Sequence, residues 1–104
     1  HATYRARIAA LDTALRAELV DGAHYVTPQG GYFFWVRLPE GYDAAALLPY
    51  AARHEVGFRP GVRFSSRNEL HNYLRLSFAF YEPEQLAEGA RRLAEAVKDY
   101  ANSR

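Results

Sequence analysis

Asn72-Tyr73-Leu74-Arg75-Leu76-Ser77-Phe78-Ala79-Phe80 is the stretch whose reading decides the fold. With the two-residue repeat of a strand it separates into two faces. Leu74, Leu76, Phe78 and Phe80 make one continuous apolar face, and Tyr73, Arg75, Ser77 and Ala79 make the other. The apolar face needs a cover. The second face carries a guanidinium in mid-strand, and an arginine buried alone is costly, so Arg75 must meet water, a carboxylate or a ligand. A solvated surface arginine is the plain reading. We read Arg75 as meeting a ligand carboxylate, which a guanidinium grips through two parallel hydrogen bonds that fix orientation as well as charge.

Three amphipathic stripes supply the cover. Tyr4, Ile8, Leu11, Leu15 and Leu19 predict a helix over about residues 3–20, ended by Asp21-Gly22 with Gly22 as a left-handed cap. Asp43 is an N-cap for a second helix to about His54, with Ala44, Leu47, Leu48 and Ala51 on one face. Pro49 should kink that helix, or delay its regular part until near Leu48. Glu82-Pro83 opens the last helix, with Pro83 at its first position and Leu86, Ala90, Leu93, Val97 and Tyr100 as the buried stripe. Glu88 with Arg92, and Arg91 with Glu95, are expected pairs on its wet side, each contributing about 0.2–0.5 kcal/mol. Gly89 costs this helix about 1 kcal/mol relative to alanine, and close packing against a strand is the only reason its position suggests. Asn102-Ser103-Arg104 should fray.

Between the helices lie the remaining extended pieces. Residues 24–27 read as a short strand, and Pro28-Gln29-Gly30-Gly31 as a turn. Gly31–Leu38 is a strong strand with bulky residues on both faces, so both faces need covering or a partner. Val56–Arg59 is a short strand stopped by a Pro60-Gly61 turn; Val62–Phe64 continues extended, and 65–71 is a loop. The order predicts an α+β two-layer sandwich, a small mostly antiparallel or mixed sheet with three helices on one face. Arg75 then stands on the opposite, open face.

At 104 residues and 11.8 kDa the chain makes one domain, residues 1–104, with a formal net charge of +1. That balance gives no electrostatic case for nucleic acid or an anionic membrane. Twelve of the 13 basic residues are arginine and only Lys98 is lysine, a bias that base composition explains. With no cysteine, thiol chemistry and Cys-held metal are excluded. No apolar run reaches the roughly 18 residues of a span and no signal peptide is visible, which fits a cytoplasmic setting. His1-Ala2-Thr3-Tyr4-Arg5 enters helical periodicity without a lead-in, so a piece of a longer chain is expected.

His24, His54 and His71 lack metal-ligand spacing, and no serine sits in an elbow motif. Gly30-Gly31 leads into a strand rather than a helix, so it is no phosphate loop. A self-contained active site is not visible.

Pro28-Gln29-Gly30-Gly31-Tyr32-Phe33-Phe34-Trp35-Val36, then Gly57-Phe58-Arg59-Pro60-Gly61-Val62-Arg63-Phe64, then Asn72–Phe78 together resemble the C-terminal small domain of fold-type I, class I/II aminotransferases. The resemblance covers residues 2–101 and leans toward the branch of 2-aminoadipate-type enzymes and MocR-type regulators. It implies pyridoxal 5′-phosphate (PLP) held by a lysine of a large domain, amino-acid and 2-oxo-acid substrates, and a homodimer. By motif position it implies that Arg75 binds the substrate α-carboxylate. Gly30, Gly31 and Phe64 become candidate neighbours of the cleft, and Asn72 a candidate with a structural alternative. The PLP lysine, the aspartate for the pyridine nitrogen and the phosphate loop are not in this sequence, and Lys98 falls on the outer part of the last helix. Catalysis is therefore not expected of these residues alone.

Two other readings compete. A MocR-type regulator would use the same fold and Arg75 to sense an amino acid or amine. An RNA-binding sheet is suggested by Gly31–Leu38, whose aromatics loosely match an RNP1 octamer, but the near-zero charge and the early place of that strand oppose it.

Overall fold

The structure, a computed structural model, describes residues 3–19, 21–26, 33–61, 71–77 and 82–103. Helix α1 (Tyr4–Glu18) starts at Thr3, whose Oγ1 accepts the Ala6 N–H at 3.0 Å. Leu11, Leu15 and Leu19 are buried as the stripe requires, with Ile8 packed against them. The helix stops before Asp21-Gly22, because Leu19 already turns extended (ψ 157°) while keeping its side chain in the core. Gly22 does adopt a left-handed φ of +90°, but in the turn that follows rather than as the cap. A Cβ there would also press on Pro39 Cγ at 3.3 Å.

Strands β1 (His24–Val26) and β2 (Phe33–Arg37) pair antiparallel, and Leu38 just past β2 is sealed in the core. Helix α2 (Ala44–Arg53) has the expected Asp43 cap, whose carboxylate accepts the Ala45 N–H at 3.0 Å. It runs through Pro49 without interruption, contrary to the expected late start; Pro49 simply cannot supply the N–H that would reach the Ala45 carbonyl. Its end is a Schellman arrangement: the Val56 N–H bonds the Ala51 carbonyl (3.0 Å), and the Glu55 N–H bonds that of Ala52 (3.1 Å). Glu55 occupies the left-handed position at φ +58°, where glycine is the usual residue.

That exit displaces the next strand. Residues 55–58 are used in leaving the helix, so β3 is only Arg59–Pro60, and Pro60 lies in the strand rather than in a turn. An edge strand tolerates a proline because one side of it needs no ladder bond. Strand β4 (Tyr73–Ser77) completes an antiparallel sheet of order β1-β2-β4-β3. The expected extension of β4 to Phe80, the start of β2 at Gly31, and residues 62–64 lie outside the described residues.

Helix α3 (Pro83–Asn102) begins with Pro83 after Glu82, whose N–H donates to the Gln85 side chain at 2.8 Å. Its expected stripe is buried, and so are Ala94 and Ala96, because α3 lies between α1 and α2 as well as over the sheet. Of the expected surface pairs, Arg92–Glu88 forms at 3.1 Å, but Arg91 turns to Glu88 (2.6 Å) and Glu95 meets Lys98 (3.5 Å). Two guanidiniums on one carboxylate hold the Glu88 acid below its ordinary range. Close packing does not explain Gly89: a Cβ there would meet nothing within 4 Å. The C-terminal end is firmer than expected, with Asn102 helical and the Ser103 hydroxyl donating to the Asp99 carbonyl at 2.9 Å.

Candidate functional site

Phe34, Val36 and Leu74 face the helices at zero exposure, so the alternate residues of β2 and β4 register on the opposite face. One row runs across the sheet: Val26 opposite Trp35, Trp35 opposite Arg75, and Arg75 opposite Arg59. The next row brings together His24, Arg37 and Tyr73. The Trp35 and Tyr73 rings meet edge to face, 6.4 Å apart, which builds an aromatic wall beside Arg75. Arg75 itself is half-buried and Arg59 exposed. The register sets the Arg75 position out of phase with the buried Leu74 and Leu76, and the residue also lines a cleft at the β3 edge.

The register depends on Asn72. Its Nδ2 donates to the Leu38 carbonyl at 2.8 Å, while the Leu38 N–H donates to the Asn72 carbonyl at 2.8 Å. This double clasp joins the end of β2 to the start of β4 and sets which residue stands beside Trp35. Gly30, Gly31 and Phe64 lie outside the described residues. Arg59 was not singled out from sequence, because its position opposite Arg75 follows from a long-range pairing.

A cleft of about 770 Å³ opens at the β3 edge, between residues 55–59, β4 and the first half of α3. Its lining joins the core residues Leu11, Leu76, Leu86 and Ala90 to Arg59 and Arg75 of the strands, so the hollow opens around the β3 edge of the sheet. It exists because β3 is short: Leu74, opposite Pro60, is fully buried, whereas Leu76, beyond the ladder, is 8% exposed. Its rim charges are of both signs and partly paired, Arg92 lying 3.1 Å from Glu88 and 3.5 Å from Glu55. The strand positions registered on the open face include Arg37, Arg59 and Arg75. Two of these, Arg59 and Arg75, also line the cleft, together with Glu55, Glu84 and Glu88.

Among the described residues no three His, Asp or Glu side chains gather as a metal site, and no helix is long and apolar enough to cross a membrane. The described residues do not fit PLP as its holder. The chain's one lysine, Lys98, is exposed on α3 beside Glu95, on the helix side of the molecule and away from the Arg75 face.

Residues 1–93 match the profile of the family described as aminotransferase class I and II. The chain belongs to that family. It is 36% identical over 96 residues to an aromatic-amino-acid aminotransferase of Thermococcus litoralis, covering 92% of this chain and 23% of the relative. It is 40% identical over 95 residues to a 2-aminoadipate transaminase of Thermus thermophilus, covering 91% and 24%. In structure it matches the α-aminoadipate aminotransferase LysN of Thermus thermophilus, solved with N-(5′-phosphopyridoxyl)-L-leucine, at TM-score 0.90 and 38% identity, over 97% of this chain and 26% of that one. The α+β fold with its antiparallel sheet is thus an aminotransferase fold, and the family is PLP-dependent. The chain spans about a quarter of the length of these relatives.

Proposed function

We propose that residues 1–104 are the substrate-carboxylate-binding small domain of a PLP-dependent aminotransferase, which moves an amino group between an amino acid and a 2-oxo acid. The observation that carries the reading is the place of Arg75: mid-strand, half-buried, on the sheet face that the helices do not cover, in a chain of this family. Its guanidinium grips the α-carboxylate bidentately, and the Trp35–Tyr73 wall limits how the bound molecule can tilt. A large domain of the same polypeptide closes over this face, excludes water and completes a homodimer. PLP, when bound by that large domain, supplies the electron sink for amino-group transfer. What this chain contributes is orientation, which brings the α-amino group to the reacting centre in one pose.

The test is Arg75→Ala in the full-length enzyme. Loss of a bidentate, desolvated charge contact costs about 2–5 kcal/mol, so kcat/KM should fall by roughly 30-fold to a few thousand-fold for every amino acid used, with KM raised. Unchanged kcat/KM across several amino acids would refute the anchor.

A further inference from the structure

The head of β4 is fastened to both ends of one short turn. At one end is Leu38, just past β2, whose side chain is sealed in the core. At the other is Ala44, the first residue of α2, whose N–H donates to the His71 carbonyl at 2.7 Å. The Asn72 carbonyl accepts the Leu38 N–H, and the Asn72 side-chain amide donates back to the Leu38 carbonyl, each at 2.8 Å. The turn itself is closed by the Tyr42 N–H on the Pro39 carbonyl at 3.2 Å. It is tied to α3 where the Tyr100 hydroxyl accepts the Asp43 N–H at 3.1 Å. In the bonds from residues 71 and 72 to this turn, the Asn72 amide is the side-chain contribution; the others are main-chain. Asn72 is half-buried, and a methyl or a carboxylate in its place would offer the Leu38 carbonyl no donor. Arg75 follows about 10 Å along the strand, between the core residues Leu74 and Leu76.

We infer that Asn72 is a positioning residue for Arg75: it fixes where β4 starts against β2 and α2, and so where the guanidinium stands. This rests on the reading of Arg75 as the α-carboxylate anchor. Leu74 and Leu76 hold the strand against the helices whichever residue stands at 72. The strand therefore stays in place without the Asn72 amide, but its head loses a fixed stop. Two parallel hydrogen bonds to a carboxylate tolerate little displacement, so that loosening is felt as a weaker grip on the substrate. An asparagine with a structural role alone would lower stability and leave the grip unchanged.

The test uses the full-length, PLP-loaded enzyme with the fastest of L-leucine, L-tyrosine and L-2-aminoadipate as amino donor. Kinetics are read at a temperature where urea titration shows each variant folded. Asn72→Ala should raise KM about five- to tenfold and leave kcat within about threefold. Asn72→Asp, the same shape without a donor, should do the same, and Asn72→Ser, with a donor on a shorter stem, should recover part of the loss. In the Arg75→Ala background Asn72→Ala should move KM by less than about twofold, because the group that it positions is gone. Val97→Ala, a core truncation on α3, should lower the urea midpoint without raising KM. An unchanged KM in Asn72→Ala, or a rise just as large with Arg75 absent, overturns the inference and leaves the anchor standing. Should Asn72→Ala not fold, Asn72→Ser is read against the same two criteria. If Arg75→Ala leaves kcat/KM unchanged, or none of the three donors is turned over, the anchor and the inference fail together.

Discussion

On one side of the sheet Phe34, Val36 and Leu74 are sealed from solvent; on the other their chain neighbours Trp35, Tyr73 and Arg75 remain partly exposed. Both sets come from the same two strands, and a period of two is all that separates them. The covered face meets three helices and forms one core with Leu15, Leu47, Leu93 and Val97. The open face holds aromatic rings and arginines, residues that serve recognition better than packing. Under the proposed function, the division assigns folding and binding to alternate residues of one strand, so that either can change with little effect on the other.

The sharpest way to break this comparison is to truncate on each side. Phe34→Ala should reduce unfolding free energy by about 3–5 kcal/mol in urea titration, since it removes a fully buried ring. Arg75→Ala should change it by no more than about 0.5 kcal/mol. Equal losses would mean that the open face is structural after all.

A smaller contrast lies between two glycines. Gly22→Ala should cost about 1–2 kcal/mol, because φ is +90° and a Cβ would crowd Pro39. Gly89→Ala, with open space at its Cβ and helical backbone, should gain about 0.5–1 kcal/mol. A destabilised Gly89→Ala would show that the surface of α3 beside the cleft is covered.

The smallest effect is a pH dependence on the covered side. Burial pushes the Tyr25 phenol above its ordinary value near 10, against an opposing pull from Arg16, whose guanidinium lies 5.5 Å from the ring. The Tyr25 hydroxyl also donates to the Leu15 carbonyl at 3.0 Å. With the folded value raised, the contribution is complete below the unfolded value near 10. It is lost as pH rises through the folded one, because the unfolded chain releases its proton first. Urea midpoints between about pH 9 and pH 11 should fall less steeply in Tyr25→Phe than in the parent, and parallel slopes would refute this.

Much of this was legible in the residues. The alternation of 74–76 and the stripe of α3 depend on local periodicity, and the structure repeats them. The caps at Asp43 and Pro83 were legible for the same reason, as short-range chemistry. What could not be read is long-range. The exit of α2 through Glu55 in a left-handed conformation is unusual for a glutamate, and it moved β3 from Val56 to Arg59. The extra buried alanines of α3 come from its place between two helices, which its own stripe does not encode. Arg75 was visible as a cation on the wrong face for a core; Arg59 became visible only once pairing set it opposite.

The central claim is that Arg75 holds the substrate's α-carboxylate from the uncovered face. Its most direct measurement is a crystal structure of the full-length, PLP-loaded enzyme with an amino acid or a 2-oxo acid bound. Two parallel hydrogen bonds of about 2.7–2.9 Å from the Arg75 guanidinium to that carboxylate are expected. A carboxylate bound elsewhere, with Arg75 turned to a protein acid, would contradict the account.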